Sequence, residues 1–363
     1  MNRNSVIDYS TFIPRVIMKR GMPVQMIFFV TSRCNCRCRH CFYWRKIEDD
    51  ANRKEMTLDE IEKISKNRFN LLWLSLTGGE PFLRDDLADI AALFYRNSRV
   101  LNISIPTNGQ LKEKILKTTA AIARECPRSY IVVIFSFDGL EGTHDRIRGE
   151  KTFTTASENF KALQSIQGKY RNLGVAAQIT CTAENQKELK DVYAYLQNRL
   201  QPDNVTINLV RGDLRFPGQK DVDIRYYDEL ADLIKSGKRK SGILWHGSPL
   251  RKIIVARNFL TYVSISKIFK EKRSLASCYA GYLNCVIAED GDVYPCEDFN
   301  LKIGNLREAK YDFRKLWYSS EAQKIRALIK KTACFCTYEC AMSANALFNP
   351  VHYPGMLAEL LKI

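Results

Sequence analysis

The chain runs from Gln25-Met26-Ile27-Phe28-Phe29-Val30 directly into Thr31-Ser32-Arg33-Cys34-Asn35-Cys36-Arg37-Cys38-Arg39-His40-Cys41. The first part is a short apolar run, which predicts a buried strand. The second part is a loop in which Cys34, Cys38 and Cys41 are separated by three and then two residues. Cysteine thiolates hold iron–sulfur clusters. Three ligands on a [4Fe–4S] cube leave one iron open to a substrate or cofactor, so the spacing favours an enzyme over an electron carrier.

Two other interpretations of this loop remain open. It can be a structural zinc site, or its cysteines can be reduced thiols that merely lie close together. A structural zinc site usually has four ligands in two close pairs. No second pair lies near this loop in the sequence.

Alternating apolar and amphipathic segments predict the fold. Six β-rich runs are expected to be strands, at 26–31, 72–77, 100–106, 131–137, 175–182 and 205–210. Helical patterns lie between them, at 57–66, 85–96, 111–125, 155–166 and 184–200. Such alternation indicates βαβ units and a parallel sheet whose strands are buried on both faces. Six units are too few for a closed eight-stranded barrel, so we predict an α/β fold with a partial (β/α)6 TIM-like barrel.

Unusual polar and glycine-rich segments follow the first four predicted strands. After the cysteine loop come Thr77-Gly78-Gly79-Glu80-Pro81, Pro106-Thr107-Asn108-Gly109 and Ser136-Phe137-Asp138-Gly139. Parallel α/β barrels place their chemistry on the loops at the carboxyl ends of the strands. We therefore expect these four loops to meet at one edge and form the site.

These loops, in this order, resemble those of the radical S-adenosylmethionine (radical SAM) superfamily over about residues 25–210. The resemblance implies a [4Fe–4S] cluster on Cys34, Cys38 and Cys41, with S-adenosylmethionine on its open iron. Reductive cleavage of that cofactor yields a 5′-deoxyadenosyl radical, which abstracts hydrogen from a substrate. In such enzymes the cofactor supplies the chemistry and the protein supplies positioning.

The resemblance also implies cofactor-binding residues. His40 would lie against the adenine, and the loop of Gly78, Gly79 and Glu80 would approach the methionine amino group. Thr107 and Ser136 match positions that touch the ribose or methionyl part, and Asn108 and Asp138 belong to the same two motifs. Arg148 matches an arginine that pairs with the methionyl carboxylate, for which a guanidinium fork is well suited.

A second cysteine group lies near the end of the chain. Cys278, twelve residues, Gly291, four residues and Cys296 resemble the opening of the auxiliary-cluster regions called SPASM and, when truncated, twitch. Asp290-Gly291 predicts the turn of a hairpin. The closing ligands would come from Cys334, Cys336 and Cys340. Six cysteines fit one auxiliary [4Fe–4S] cluster, for which we predict Cys278, Cys296 and Cys340 with Cys336 or Cys285; zinc is the alternative.

The 363 residues are divided by these motifs into four parts. We predict an N-terminal segment at 1–24, the barrel at 25–235, a basic linker at 236–275 and the auxiliary-cluster domain at 276–363. Twelve cysteines without a signal peptide argue against a secreted disulfide scaffold. The prediction is a reducing compartment, the cytoplasm.

Charge is concentrated in one stretch. The chain has a formal net charge of +16, and residues 235–273 contain 11 Lys and Arg against the single acid Glu271. Such a stretch suits an acidic flavodoxin- or ferredoxin-like electron donor, an anionic substrate or an anionic membrane surface; a solvated face without a partner is the alternative. Amphipathic segments at 9–29 and 344–363 add peripheral membrane contact to the hypotheses. No nucleic-acid motif is present, so nucleic acid is not expected.

The sequence therefore predicts a radical SAM enzyme with one auxiliary cluster, acting on a peptide or protein side chain by crosslinking, epimerisation or oxidation. A small or lipid-linked anionic substrate such as a sugar nucleotide is the alternative. A non-catalytic iron–sulfur or zinc protein is the alternative of another class, and the loops that match cofactor-binding motifs argue against it.

Overall fold

The computed structural model describes Phe12 and residues 21–49, 54–241 and 251–362. The predicted N-terminal segment and the basic stretch at 235–273 therefore lie partly outside the described residues. Within them, one nine-stranded sheet has the order β6-β5-β4-β3-β2-β1-β7-β8-β9. The strands are β1 (Gln25–Thr31), β2 (Trp73–Gly78), β3 (Asn102–Thr107), β4 (Tyr130–Ser136), β5 (Leu173–Cys181), β6 (Asn204–Leu209), β7 (Asn284–Ile287), β8 (Asp292–Tyr294) and β9 (Gly304–Asn305).

All six predicted barrel strands are confirmed, with ends displaced by one or two residues. They pair in parallel and in chain order from β1 to β6. The expectation of strands buried on both faces is wrong for β4 and β6, where burial alternates strictly along the strand, and for β2, where it alternates over the first five residues. Strand β4 shows the reason. Ile131, Val133 and Phe135 are fully buried, whereas Val132 and Ile134 line a large cavity inside the barrel. One face of the strand therefore packs in the core and the other lines the site.

Helices connect and cover the strands. They are α1 (Trp44–Glu48), α2 (Leu58–Ser65), α3 (Leu87–Ser98), α4 (Lys112–Glu125), α5 (Glu141–Arg148), α6 (Thr152–Gln167), α7 (Leu189–Tyr195), α8 (Ile224–Ser241), α9 (Arg251–Glu271), α10 (Phe313–Trp317), α11 (Ser320–Lys331), α12 (Glu339–Phe348) and α13 (Tyr353–Leu361). The predicted helix at 184–200 is divided into a short 3₁₀ turn, α7 and a π-helical segment, Leu196–Leu200.

Helix α2 shows how local sequence fixes both an element and a long-range contact. Thr57 and Glu60 form a capping box, in which each side chain accepts a hydrogen bond from the other residue's backbone N–H. The Glu60 carboxylate also accepts bonds from Arg307 Nε at 2.6 Å and from the Tyr311 hydroxyl at 2.8 Å. One side chain therefore starts a helix of the barrel and binds it to the C-terminal region.

The C-terminal region continues the barrel sheet. Strand β7 pairs in parallel with β1, which places Asn284 beside Gln25 and Cys285 beside Met26. The predicted hairpin is confirmed: β7 and β8 are antiparallel, and Gly291 at the turn has a φ of +89°. Only glycine adopts such a conformation without strain. Helix α9 packs against α8 and also against α12 and α13, so it links the barrel to the C-terminal helices.

Candidate functional site

A cavity of about 2020 Å³ fills the inside of the barrel. At the carboxyl ends of the strands its wall includes residues of the first three predicted loops and, from the fourth segment, Ser136 at the end of β4. Side chains on β5 and β6 line its middle, among them Gln178, Thr206 and Asn208. The cavity continues to residues that precede β4, β5 and β6 at the opposite edge. The site is therefore a long space whose wall is mostly apolar and carries a smaller share of polar groups.

Three of the four cysteines in the first loop are half-buried, and all four line this cavity. Burial, with a smaller contribution from the nearby Cys38, raises the pKa of Cys34 to about 11 and that of Cys41 to about 12. A hydrogen bond with Cys36 and the charge of Arg148 lower the pKa of Cys38 against the effect of its burial. The thiols are thus close enough to influence one another, and one of them is favoured as a thiolate.

The cysteines of the first loop suit an iron–sulfur cluster. A [4Fe–4S] cube takes one thiolate on each of several separate irons. Three thiols that face one cavity can supply these ligands. Cys36, which the sequence analysis did not assign as a ligand, is buried between them.

Two glycines allow the loop after β2 to lie against the cysteine loop. Gly79 N donates to Thr31 O at 2.9 Å, and Glu80 N donates to Arg33 O at 2.8 Å. A Cβ atom on Gly79 would lie 2.1 Å from Arg33 O, and Gly78 has a φ of +132°. The resemblance implied that this loop approaches the methionine amino group of the cofactor. In the structure its two glycines allow it to contact the backbone of the cysteine loop.

Glu80 brings the loops after β2 and β3 together. Its side chain is 1% exposed, and its carboxylate accepts bonds from Thr107 Oγ1 at 2.9 Å, Asn108 N at 2.8 Å and Phe82 N at 3.3 Å. Burial raises the pKa of Glu80 to about 7, although these bonds oppose the rise. Asn108 Nδ2 in turn donates to Asn35 Oδ1 in the cysteine loop at 2.7 Å. Three predicted cofactor-binding residues therefore form one connected group.

Asp138 forms the centre of a second group. Its buried carboxylate accepts bonds from Arg148 Nε at 2.5 Å and from Thr180 N at 2.8 Å, and His40 Nε2 lies 3.4 Å away. Burial would raise the pKa of Asp138, but the charges of Arg148, His40 and His144 lower it. Arg148 Nη1 is also 3.8 Å from Cys38 Sγ. Arg148 thus lines the cavity beside the cysteines, and its guanidinium is bound to Asp138.

Two further observations concern the wall of the site. Ser136, at the end of β4, is half-buried and lines the cavity as predicted for a site residue. His40 Nδ1 is buried and has no hydrogen-bond partner among the described residues. A buried polar atom of this kind fits a ligand that occupies the cavity.

Sequence reasoning missed the role of Arg211. It follows β6, and its guanidinium contacts Glu297 at 2.6 Å and Asp298 at 3.3 Å, while it stacks on the Tyr338 ring at 3.9 Å. Leu209 N donates to the neighbouring Glu339 at 2.6 Å. This group connects the last barrel strand with the C-terminal cysteine region. Arg211 follows the carboxyl end of a strand, as the four predicted loops do. This position in the sequence could have indicated that Arg211 is a site residue.

The six C-terminal cysteines do not all lie together. Burial raises the pKa of Cys296, Cys334 and Cys336, and Cys278 adds to the rise at each of them. Cys278 therefore lies within electrostatic range of the other three thiols. Cys340 lines the cavity, near Arg211 and Tyr338. Cys285 lies on β7 in the hydrophobic core, where burial alone raises its pKa.

Among the described residues, no helix is both long enough and apolar enough to cross a membrane.

The fold and the site together define an iron–sulfur protein built on a parallel partial barrel. The family model described as "Radical SAM superfamily" matches residues 28–196, and the one described as "Iron-sulfur cluster-binding domain" (SPASM) matches residues 278–341. The chain carries a radical SAM domain and a SPASM region, as the sequence analysis predicted. It is therefore an enzyme.

Three known proteins illustrate the similarity. Pre-heme d1 synthase of Dinoroseobacter shibae is 31% identical over 185 residues, which cover 49% of this chain and 41% of that protein. Mycofactocin maturase MftC of Mycobacterium tuberculosis is 26% identical over 294 residues, or 78% of this chain and 68% of that protein. The fold matches that of Streptococcus suis SuiB bound to S-adenosylmethionine, with a TM-score of 0.62 and 16% identity over 90% of this chain and 72% of that chain.

The cofactors of such a protein are [4Fe–4S] clusters and S-adenosylmethionine, as expected. When bound and reduced, they supply a radical that removes a hydrogen atom from the substrate. The residues of this chain fit them, since three thiols face one cavity and a buried His40 nitrogen there lacks a partner. The protein must hold these groups, orient the substrate and keep water out.

Proposed function

We propose that this enzyme modifies a side chain of a peptide or protein substrate. The size of the cavity and the polar groups along its wall carry the proposal. Small-molecule sites usually have volumes of ~300–1,000 Å³, and this cavity has about 2020 Å³, which leaves room for a substrate beside S-adenosylmethionine. Gln178, Thr206 and Asn208 give its wall both hydrogen-bond donors and acceptors, which an extended peptide backbone can use.

Several similar proteins support a peptide substrate. Streptococcus suis SuiB has also been solved with its precursor peptide SuiA, and it shares the fold of this chain with a TM-score of 0.59. Another relative is described as the subtilosin biosynthesis protein AlbA of Bacillus subtilis, a bacteriocin pathway protein. The chain spans less than half of the pre-heme d1 synthase that it matches. The substrate of that protein therefore supports an inference about the substrate of this chain less strongly than SuiB does.

For the first site we propose the roles that the resemblance implied. Cys34, Cys38 and Cys41 hold the first cluster. S-adenosylmethionine is held between the group around Glu80 and the group around Asp138. The loops that carry these two groups also carry the other predicted cofactor-binding residues: Gly78, Gly79, Thr107, Asn108, Ser136, His40 and Arg148. Ordered loops with bonded side chains favour this, because a positioned cofactor requires a rigid wall.

For the auxiliary cluster, the electrostatic effect of Cys278 on Cys296, Cys334 and Cys336 favours a set that includes Cys334, which was not in the predicted set. Cys285 is the weakest candidate, since its thiol is enclosed by the core. Cys340 stays a candidate because it lies at the cavity wall, between the auxiliary region and the barrel. We retain the proposed division of the chain at about residues 235 and 275, and an acidic flavodoxin- or ferredoxin-like protein as the electron donor.

The test is to incubate the anaerobically reconstituted, reduced enzyme with S-adenosylmethionine and with peptides encoded beside its gene. We expect 5′-deoxyadenosine and a peptide of altered mass. Changing the three cysteines of the first loop to Ala should abolish both, whereas Cys126→Ala, a change in the core far from either cysteine group, should not. Modification of a small anionic compound, with every peptide left unchanged, would replace this proposal by the alternative substrate class.

A further inference from the structure

The part of the cavity wall between the two cysteine groups is built around Arg211. Its guanidinium lies 3.9 Å from the centre of the Tyr338 ring and 4.8 Å from the centre of the Phe42 ring. Phe42 directly follows Cys41 of the first loop, and Tyr338 precedes Cys340 of the C-terminal group by two residues. Arg211 and both rings line the cavity. A substrate in the cavity can therefore contact this group beside the first cysteine loop.

The acids around Arg211 exceed its charge. The guanidinium lies 2.6 Å from Glu297 Oε2, 3.3 Å from Asp298 Oδ1 and 3.8 Å from Glu339 Oε2. Glu297 and Asp298 alone carry one negative charge more than Arg211 compensates, and Glu339 adds a third carboxyl group. Glu297 and Glu339 line the cavity. A concave site with low-dielectric walls and an excess of one charge attracts a ligand of the opposite charge, so this group suits a cation.

The other arginines of the cavity wall at this edge are engaged elsewhere. Arg148 is bound to Asp138. Arg215 Nη1 lies 2.6 Å from Glu48 Oε1. Arg37 Nη1 donates to two backbone oxygens of the cysteine loop, at 2.7 and 3.1 Å. The excess of acid around Arg211 is therefore left for a ligand to compensate.

Two buried oxygen atoms of this group have no hydrogen-bond partner among the described residues. They are Glu339 Oε2 and the Tyr338 hydroxyl oxygen. Tyr338 is 2% exposed, and the other carboxylate oxygen of Glu339 already accepts a bond from Leu209 N at 2.6 Å. A lysine ammonium group carries three donors for such acceptors. Ala344 and Leu347, on the same helix as Glu339, also line the cavity and offer an apolar surface to the methylene groups of a lysine.

We propose that the group around Arg211 binds the side-chain ammonium of a lysine in the peptide substrate. This inference rests on the proposed function and specifies its substrate. The ammonium group donates to Glu339 Oε2 and to the Tyr338 hydroxyl, and its charge compensates the acid that Arg211 leaves over. Because Phe42 of this group adjoins the first cysteine loop, the lysine should be the modified residue or a close neighbour of it in the substrate.

The test compares the binding of two dansyl-labelled pentapeptide amides to the reconstituted holoenzyme by fluorescence anisotropy. One peptide has a central lysine between alanines. The other has norleucine instead, which keeps the apolar stem and lacks the ammonium group. We expect the lysine peptide to bind roughly tenfold more tightly, because hydrogen bonds that involve a charged group are among the stronger ones.

Three variants locate the site. Glu339→Gln removes the free carboxylate oxygen and should reduce the preference for lysine to about twofold. Tyr338→Phe keeps the ring against Arg211 and removes the hydroxyl, so it should also weaken the preference; it tests the site independently if Glu339→Gln fails to hold its clusters. The control Glu321→Gln removes a carboxylate from helix α11, outside the cavity wall, and should keep the preference of the parent. Iron content and thermal melting show that each variant is loaded and folded.

Three results would overturn the proposal. The parent can bind the two peptides equally, Glu339→Gln and Tyr338→Phe can both keep the full preference, or the Glu321→Gln control can lose as much of it as Glu339→Gln does. The last result would show that the preference follows net charge. Peptide binding needs no turnover, so an enzyme that prefers the lysine peptide but modifies no peptide would refute the proposed function and leave the lysine site standing.

Discussion

Replacing Arg148 by Met should destabilise the protein far more than the same change at Arg146 in the same helix. The two arginines form a matched pair on α5. The Arg148 side chain is 10% exposed and binds Asp138, which is fully buried. The Arg146 side chain is 58% exposed and lies 3.3 Å from Glu184. Both substitutions remove one positive charge, so they differ mainly in burial.

The magnitudes follow from that difference. Removing one partner of a buried ion pair leaves an uncompensated charge and costs about 3–5 kcal/mol. An exposed pair is worth about 0–1 kcal/mol. Adding Asp138→Asn to Arg148→Met removes the stranded carboxylate and should restore part of the loss. Because Arg148 also lies beside Cys38, the single variant should in addition bind S-adenosylmethionine more weakly than the Arg146 variant does.

The assay is urea unfolding of both variants, with iron content and S-adenosylmethionine binding measured in parallel. The pH dependence gives a second check. The folded-state pKa of Asp138 is lowered. Its ionised form therefore stabilises the protein fully above the unfolded-state pKa of about 3.9. This stabilisation disappears as the pH falls through the lower folded-state pKa. The gap between parent and Arg148→Met should therefore be full at pH 7 and shrink in acid. Equal losses for the two arginine variants would refute the reasoning.

Three other predictions test other parts of the structure. The reconstituted enzyme should contain about eight irons per chain, the sum of two [4Fe–4S] clusters. Changing the three cysteines of the first loop to Ala should remove about four of these irons. About twelve irons in the parent enzyme would mean that it has two auxiliary clusters. Gly79→Ala should lower iron and S-adenosylmethionine binding, because its Cβ would lie 2.1 Å from Arg33 O, whereas Gly168→Ala, with nothing within 4 Å, should leave both unchanged. Binding of Arg307 lowers the pKa of Glu60 to about 2. The Glu60 carboxylate therefore stabilises the fold above its ordinary pKa, and this stabilisation is lost as the pH falls toward 2. Glu60→Gln should flatten that part of the plot of unfolding free energy against pH, and an unchanged plot would show that the contact contributes nothing.

The barrel could be predicted from the sequence because its signals are local. Apolar runs, helical periodicity and glycine-rich loops each occupy a few consecutive residues, and parallel pairing then brings the loops to one edge. The position of Glu80 after β2 and of Thr107 after β3 was enough to place them on one side of the molecule. Their hydrogen bond could not be predicted, because it depends on the distance between two strands and on the side-chain conformations.

The parts that could not be predicted depend on contacts between distant segments. Nothing local to Arg211 shows that it will meet Glu297, since 86 residues separate them. Cysteine spacing likewise could not separate Cys285 from the other C-terminal cysteines, because its burial follows from the pairing of β7 with β1. The alternating burial of β4 was missed because Val132 and Ile134 are apolar although they face the cavity.

The parallel pairing of β7 with β1 has a consequence for the evolution of this architecture. A region joined to its neighbour by backbone hydrogen bonds across a common sheet is not a detachable module. A chain ending before Asn284 would leave β1 as an exposed edge strand, with unpaired N–H and C=O groups beside buried Met26 and Phe28. Such edges recruit other chains and promote aggregation. Loss of the auxiliary region by simple truncation would therefore be selected against even where its cluster had become dispensable, and shortening has to proceed from the far side, beginning beyond β9.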